Sequence, residues 1–445
     1  MKKQNIGAKI VTFVLPIAVQ NLLASLVSVS DTLMLGMVSQ NVLSAVSLAT
    51  QVTFVLNLFF SALTVGTTIL AAQYWGKCDL VAVERILGIA VRISCLISAV
   101  FFLASQLCPQ FLMGIFTDDG ELIRTGAGYL RIAGLSHLLM AVPQIYLCIM
   151  KNSGRMLKST IYGFVAVAAN IVLNGIFIFG LFGFPEMGAA GAAAATDLAI
   201  GAELCLVLYE NMTTDTVRIR WRYLRSLDIE LLKDFFKYTL PVLADLLVWG
   251  LGFTTFSVIL GHMGNDAVAA NSIANTAKNI ISCFCLGLGS GTGIIVGNEL
   301  GQNHLDTARE YGNKLLHISV WLGIGSGAAL VLMTPLFLGI VSSLNDCSSQ
   351  YLKWMMLICG FYMAGKSVNV TLIDGVFCAG GDTRFGLWCD IVILWLIVIP
   401  LGALSAFVFK CPAPFVYLIL SLDELLKLPA VYLHYKKYKW VRNLT

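Results

Sequence analysis

Long apolar runs separated by short polar stretches repeat along the whole chain. A helix needs about 20 predominantly apolar residues to cross the roughly 30 Å hydrocarbon core of a bilayer. Twelve runs of the chain reach that length. They lie at about residues 10–38, 48–75, 86–108, 126–150, 160–182, 187–210, 238–262, 273–298, 315–340, 351–377, 387–409 and 413–434. The pattern therefore predicts an all-α membrane protein with twelve transmembrane helices.

One connection between these runs is longer and more polar than the others. It covers residues 211–237 and is partly amphipathic, whereas the remaining connections are too short to form a domain. We therefore predict an N-terminal six-helix lobe at 1–210, a linker at 211–237 and a C-terminal six-helix lobe at 238–445. The second lobe ends in a short basic tail.

The two halves of the chain repeat one another at a spacing of 225 residues. LPIAVQNLL at 15–23 aligns with LPVLADLLV at 240–248, and GTTILAAQYWGK at 66–77 aligns with GTGIIVGNELGQ at 291–302. Six spans in each half give both halves the same orientation, so we predict two pseudo-symmetric six-helix bundles. Such bundles enclose a central cleft and open it alternately to either side by rocking.

The composition excludes an ordinary soluble protein. Hydrophobic residues make up 58% of the chain and charged residues 12%, whereas soluble domains carry about 25% charged residues. So few charges cannot cover the surface of a water-soluble body of 445 residues. We therefore expect most of the surface to contact the lipid bilayer.

Basic residues gather on one side of the predicted membrane. With the N-terminus inside, 21 of the 29 Lys and Arg residues, beginning with Lys2 and Lys3, fall on the cytoplasmic side. Cytoplasmic loops are rich in Lys and Arg, so both termini and the linker are predicted to be cytoplasmic and the protein to span the plasma (inner) membrane. The basic run RIRWRYLR at 218–225 is then a topology signal, and we expect no nucleic-acid partner.

The residue pattern indicates neither a cofactor site nor a catalytic site. The 12 cysteines and 5 histidines form no cluster with metal-ligand or disulfide spacing. GLGSGTG at 287–293 lacks the Lys-Ser/Thr of a nucleotide site and lies within a span, so its glycines are expected to allow close helix packing. We predict a protein that is not an enzyme and that uses no cofactor or metal.

Several motifs, taken in order along the chain, resemble those of one transporter family. They are the LP pairs of the first and seventh spans, VSDTLMLG at 29–36, Asn170, GNELGQ at 297–302 with Arg309, GGDTR at 380–384, and the tail from DELLK at 423–427 to KKYKWVRNLT at 436–445. Together they resemble the bacterial type of the multidrug and toxic compound extrusion (MATE) family over nearly the whole chain. The resemblance implies a secondary active antiporter for multidrug efflux.

Asp31 is the first candidate for ion coupling. Its repeat partner is Phe256, so the packing of the bundle does not require a carboxylate at this position. Burial in an apolar lobe penalises the charged form of a carboxyl, which favours exchange of a proton. The resemblance implies that an aspartate here is protonated in the DNA-damage-inducible branch of the family. The alternative is a carboxylate at a helix end that the outer surface hydrates.

Asn170 and Asn174 share one helix face in the fifth span and are the other two cation-coupling candidates. They are placed to hydrogen-bond Asp31, or else only to join neighbouring helices. In the branch that the chain resembles, the second position commonly holds an aspartate. Because Asn174 stands there, a two-carboxylate site is doubtful and exchange of one proton on Asp31 is expected, with Na⁺ as the alternative ion.

Five residues of the C-terminal half are candidates for the substrate cleft: Trp249, Phe253, Phe256, Lys366 and Asp374. Aromatic rings attract flat cations, although aromatic residues in spans more commonly face lipid or the core. Lys278, Lys366 and Asp374 are expected to form ion pairs that neutralise them, or to provide a polar environment for substrate. Asp197 and Glu203 match no motif.

The function that we predict is export of amphipathic or cationic small molecules (drugs, toxins or metabolites) by a monomeric antiporter. Alternating access is coupled to H⁺ influx, with protonation of Asp31 as the coupling step. The alternative is a flippase of lipid-linked precursors, which should have a strongly cationic cavity. The spans hold few Lys or Arg residues, which favours the antiporter.

Overall fold

The computed structural model describes residues 6–226, 228–340 and 345–445. Lys2 and Lys3, which the charge pattern assigns to the cytoplasmic side, lie outside the described residues. Within these ranges every regular element is a helix and none is a strand. The prediction of an all-α membrane protein is confirmed.

Seventeen α-helices follow one another along the described chain. They are α1 (Ile6–Val38), α2 (Gln40–Gly76), α3 (Leu80–Leu107), α4 (Pro109–Gly114), α5 (Gly120–Leu139), α6 (Ala141–Asn152), α7 (Met156–Phe179), α8 (Ala189–Thr213), α9 (Trp221–Arg225), α10 (Ile229–Gly261), α11 (Asn265–Gly301), α12 (Leu305–Ile340), α13 (Asp346–Asn369), α14 (Arg384–Cys389), α15 (Ile399–Ala403), α16 (Ala413–Leu420) and α17 (Asp423–Lys436). A 3₁₀ turn (Leu181–Gly183) follows α7, and π-helical segments (Val370–Phe377, Asp390–Val398 and Leu404–Val408) continue α13, α14 and α15.

Polar residues in the short connections begin several of these helices. Ser39 Oγ accepts a hydrogen bond from Val42 N at the start of α2, and Asp79 Oδ1 accepts one from Ala82 N at the start of α3. Such N-caps satisfy backbone donors that have no partner within the helix. Helices α2 and α3 therefore start where the sequence supplies a cap.

The predicted spans correspond to the helices. Among the described residues, ten helices are long and apolar enough to cross a membrane. The predicted fourth span is the pair α5 and α6, bent by 40° at Met140. The predicted twelfth span is also broken, because α16 ends at Leu420 and α17 begins at Asp423.

The sequence repeat reappears in the lengths and positions of the helices. Helices α1 and α10 each have 33 residues, and α2 and α11 each have 37. Helix α2 runs from 40 to 76 and α11 from 265 to 301, so both of their ends are 225 residues apart. The two halves therefore build corresponding helices, as the alignment predicts.

The chain divides into two compact units whose boundaries differ from those of the predicted lobes. The first unit contains 237–445 together with the described residues up to Leu22, and the second contains 23–236. Helix α1 therefore begins in the first unit and ends in the second. Most of the predicted linker belongs to the second unit.

The beginning of α1 joins the first unit because α11 offers it a surface of glycines. A Cβ atom added at Gly287 would lie 2.8 Å from Ala18 Cα, and one at Gly291 would lie 3.3 Å from Val14 Cα. Lys9 Nζ also forms an ion pair with Glu299 Oε1 over 2.6 Å. The glycines at 287–293 therefore allow close helix packing, as the sequence predicts.

The basic run at 218–225 is fixed to α3 in the second unit. Arg220 Nε pairs with Glu84 Oε2 over 2.6 Å, and Arg218 N donates to Glu84 Oε1 over 3.2 Å. Arg92 donates to the carbonyl oxygens of Tyr223 and Ser226. Since these acceptors are backbone atoms, no side-chain pattern in the sequence could identify the partners of Arg92.

We predict that Gly287→Ala destabilises the protein although alanine is the better helix former. The added Cβ has no space against Ala18, and overpacking of this kind costs about 1–3 kcal/mol. The matched control is Gly325→Ala in α12, where an added Cβ meets no atom within 4 Å. This control should be neutral or stabilise by up to about 1 kcal/mol. Thermal unfolding of the purified protein in detergent measures both, and equal effects would contradict the packing account.

Candidate ion-coupling and substrate sites

The structure brings Asp31 of α1 together with the two asparagines of α7. Asn174 Nδ2 donates to Asp31 Oδ1 over 2.6 Å and to Asn170 Oδ1 over 3.0 Å. Asn170 Nδ2 in turn donates to Thr196 Oγ1 of α8 over 3.2 Å. We call these four residues the Asp31 cluster. A continuous hydrogen-bond chain thus connects α1, α7 and α8.

Thr196 is the member of the cluster that the sequence analysis did not identify. Its hydroxyl donates to the Ala192 carbonyl over 3.0 Å and so can accept from Asn170. The one available signal is the run of small residues at 189–195, which lets α8 approach α7. A Cβ added at Gly191 would lie 2.6 Å from Phe177 O.

Two groups of the Asp31 cluster lack a complementary partner among the described residues. Asp31 is half-buried and has no Lys, Arg or His within 4 Å in the described chain. Asn174 is fully buried, and its Oδ1 accepts no hydrogen bond from any described residue. Because both hydrogens of its amide are already donated, the cluster lacks one donor. A proton on Asp31 or a bound cation would supply what is missing.

The two acidic residues of α8 that match no motif are buried in the second unit. Asp197 Oδ1 accepts a hydrogen bond from Ser136 N over 2.8 Å, one turn before α5 ends at its bend. A carboxylate that binds a backbone amide stabilises the local chain, and this gives Asp197 a structural role. Glu203 has no ion pair within 4 Å among the described residues.

Aromatic rings and Lys278 line a small cavity in the first unit, and Lys366 lies over two of these rings. Trp249 and Phe253 stack with ring centroids 5.8 Å apart. Lys278 Nζ lies 4.9 Å from the centroid of the Tyr362 ring, and Lys366 Nζ lies 5.6 Å from the same ring. We call these five residues the aromatic–lysine pocket. It draws its side chains from α10, α11 and α13.

The predicted cleft residues differ in their relation to this pocket. Trp249, Phe253 and Phe256 line the cavity. Lys366 Nζ lies 5.8 Å from the Trp249 ring, whereas Asp374 does not line the cavity and has an accessible side chain. Whether these residues contact substrate stays a prediction.

The expected ion pairs among Lys278, Lys366 and Asp374 do not form. No carboxylate lies within 4 Å of either lysine among the described residues. Both ammonium groups stand over aromatic faces instead, because α10 and α13 direct their rings toward them. Sequence spacing could not distinguish these two arrangements.

A separate group of charges is buried around α17. Lys427 Nζ pairs with Asp390 Oδ1 over 2.6 Å and lies 3.9 Å from Asp423 Oδ2. Asn369 Nδ2 donates to Glu424 Oε2 over 2.7 Å. These partners explain how the broken twelfth span holds charges inside the bundle, since buried charges require pairing.

We predict that Asp390→Ala strongly destabilises the first unit. It leaves the ammonium of Lys427 buried without its close partner, and breaking a buried pair from one side costs about 3–5 kcal/mol. The measurement is thermal unfolding of the detergent-solubilised protein. Adding Lys427→Met should not recover the loss, because Asp423 then loses the buried ammonium that lies 3.9 Å from its Oδ2.

The matched control for this prediction is Asp306→Ala. Asp306 pairs with Arg309 over 3.6 Å, but its side chain is 99% exposed. Exposed pairs of this kind contribute about 0–1 kcal/mol. A loss of stability at Asp306 as large as the loss at Asp390 would contradict the buried ion-pair account.

The chain resembles known proteins over almost its whole length. The MatE family model matches residues 16–176 and 241–434. The uncharacterized transporter YisQ of Bacillus subtilis is 24% identical over 437 residues, which cover 96% of this chain and 94% of YisQ. The multidrug resistance protein MdtK of Pectobacterium atrosepticum is 26% identical over 429 residues, which cover 89% of this chain and 87% of MdtK.

A solved structure with the same fold is that of the Vibrio cholerae MATE transporter VcmN in its bent form. It has a TM-score of 0.86 and 18% identity, and the match covers 98% of each chain. The two segments that the family model matches begin at residues 16 and 241, and their spacing is that of the internal repeat. The chain therefore belongs to the MatE family, a family of membrane transporters rather than enzymes.

Proposed function

We propose that this protein is a secondary active exporter of amphipathic small molecules that exchanges its cargo for H⁺ at Asp31. The observation that carries the proposal is the Asp31 cluster, which holds a carboxylate with no countercharge among the described residues. The names of relatives such as the multidrug resistance protein MdtK support drug or toxin export. An ionisable residue within a span is by default a functional candidate.

Protonation of Asp31 would remove its uncompensated charge and would also supply a hydrogen-bond donor for Asn174 Oδ1. The neutral carboxyl carries no charge that needs compensation in an apolar bundle. Its new O–H group can donate to Asn174 Oδ1, the acceptor without a partner. With the existing bond from Asn174 Nδ2 to Asp31 Oδ1, the two side chains would form a closed acid–amide pair. The protonated cluster is then the more tightly bonded form.

Helix α1 provides a route from this change to the rest of the protein. Its first part belongs to one compact unit and its second part, with Asp31, to the other. A tighter bond between Asp31 and α7 would shift the packing of the second part of α1. In the proposal this shift favours one of the two states of an alternating-access cycle, and cargo leaves as the proton enters.

The geometry favours H⁺ over Na⁺ as the coupling ion. A hard cation such as Na⁺ requires several oxygen ligands, whereas the amide of Asn174 presents its NH₂ group to Asp31 Oδ1. The amide oxygen of Asn170 is likewise occupied by a donor. Sodium binding would therefore require both amides to reorient, and protonation requires neither to move.

We predict that Asp31→Asn abolishes pH-driven efflux while the protein still inserts and folds. Asparagine keeps the size and hydrogen bonding of the side chain but does not exchange a proton. The measurement is dye transport by purified protein in liposomes, with a pH gradient or a Na⁺ gradient imposed separately. The exposed Asp306→Asn serves as the control and should transport at the wild-type rate. The proposal would be contradicted if Asp31→Asn transported dye at the wild-type rate, or if only a Na⁺ gradient drove transport by the wild type.

A second substitution distinguishes the coupling carboxyl from its hydrogen-bond partner. Asn174→Ala removes the bonds to Asp31 but leaves the exchangeable group in place. Interhelical hydrogen bonds in membranes contribute about 0.6 kcal/mol each, and bonds to charged groups more. We therefore expect a transport rate lower by about three- to tenfold that still depends on pH. Complete loss of pH dependence would instead make Asn174 part of the ion site.

A further inference from the structure

The short helix α9, in the middle of the linker, is fixed to one face of α3. At Gly88 of α3 an added Cβ would lie 2.9 Å from the Tyr223 carbonyl oxygen, so only glycine leaves room for α9 here. Arg92, one turn further along α3, donates to that same oxygen and, over 2.7 Å, to the Ser226 carbonyl oxygen. Gly88 and Arg92 therefore hold α9 at a defined level of α3.

The same face of α3 is apolar and exposed directly beyond α9. Residues three or four apart share a helix face, so Gly88 and Arg92 are followed on this face by Leu96, Val100 and Leu103. These three side chains are 67%, 57% and 50% exposed. On a helix long and apolar enough to cross a membrane, such a row of side chains contacts the acyl chains of lipids. The lipid-facing part of α3 therefore begins at Leu96.

The level of α9 relative to the acyl chains follows from the rise of an α-helix. Leu96 comes four residues after Arg92, which is about 6 Å along α3 at about 1.5 Å per residue. Because Arg92 binds α9 directly, α9 lies about one helical turn from the first lipid-facing side chain. The polar headgroup layer on each side of a bilayer is about 5–8 Å thick. Helix α9 is therefore at the level of the headgroups rather than in the water beyond them.

The side chains that α9 leaves uncovered suit this level of a bilayer. Trp221 is 76% exposed, and Arg222 and Arg225 are exposed on the same short helix. The ion pairs that the structure describes for this basic run involve Arg218 and Arg220 instead. Tryptophan is enriched at the boundary between membrane and water, and arginines near such a boundary extend their charged groups to the headgroups. The exposed surface of α9 thus combines an indole with two available guanidinium groups.

We propose that α9 anchors the linker in the membrane interface, where Arg222 and Arg225 bind the headgroups of anionic phospholipids and Trp221 inserts beside the upper acyl chains. Phosphate oxygens accept charge-assisted hydrogen bonds from guanidinium groups, and the acyl chains cover the exposed indole. The surface is continuous with the lipid-facing row of α3, so the bilayer reaches it without any further partner. The basic run RIRWRYLR is then a lipid-binding element as well as a topology signal. This inference goes beyond the transport function and does not depend on Asp31.

Fluorescence quenching by brominated lipids tests the insertion of Trp221. The full-length protein is reconstituted in mixed bilayers of phosphatidylcholine and phosphatidylglycerol, in which one lipid or the other carries bromine near the top of its acyl chains. The difference in quenching between the wild type and Trp221→Phe isolates this residue from the other tryptophans. Trp221 should be quenched, and more strongly by phosphatidylglycerol, with an affinity about fivefold higher than for phosphatidylcholine. No difference between the two proteins would overturn the proposal, and a two-copy mass by light scattering would then assign α9 to a contact between copies.

The variant that tests the headgroup contacts is Arg222→Gln with Arg225→Gln. The preference of Trp221 for phosphatidylglycerol should fall from about fivefold to about one, because both charges are lost. Quenching by phosphatidylcholine should persist, because the indole is still inserted. The matched control, Lys77→Gln with Lys233→Gln, removes the same charge from exposed positions of the same unit and should keep the wild-type preference. An unchanged preference in the arginine variant, or an equal loss in the control, would overturn the assignment of the headgroups to α9.

Discussion

The high cost of an unpaired charge or hydrogen-bonding group inside a bilayer is the constraint on which this structure depends. No water is available in hydrocarbon to solvate such groups, so helices satisfy the backbone and side chains must find partners within the bundle. Lys427 meets this requirement with Asp390, and Asp197 meets it with a backbone amide. Asp31 and Asn174 Oδ1 meet it incompletely. An incompletely satisfied site is the place where adding a proton changes the energy most.

The fold followed from the sequence because its main signal is length and apolarity. Twelve apolar runs predicted the spans, and the repeat predicted corresponding helices such as α2 and α11. The breaks in the fourth and twelfth spans were not predicted, although Pro143 lies three residues after the bend at Met140 and proline commonly kinks a helix. Tertiary contacts lie near both breaks, between Ser136 and Asp197 at one and between Lys427 and Asp390 at the other. The grouping of the beginning of α1 with the first unit depends on glycine contacts that the pattern of apolar residues does not reveal.

The candidate sites were predictable only in part. The i, i+4 spacing of Asn170 and Asn174 placed them on one face, and the structure joins them to Asp31. Thr196 carries no charge and belongs to no motif, so only the fold could reveal it. Lys278 and Lys366 were recognisable as unusual, but the sequence could not say whether a carboxylate or a ring would face them. The two units thus contain different groups of polar side chains, the hydrogen-bonded Asp31 cluster in one and the aromatic–lysine pocket in the other.

The central claim is that cargo and a proton compete through Asp31, and the most direct test is to count protons when cargo binds. Thermodynamic linkage requires that a ligand favoured by one protonation state changes the number of protons bound. The measurement is the pH change of a weakly buffered solution of purified protein on dye binding. The account predicts release of up to a single proton per bound dye in the wild type and none in Asp31→Asn. Equal proton release by both proteins, or none by the wild type across the pH range of transport, would contradict it.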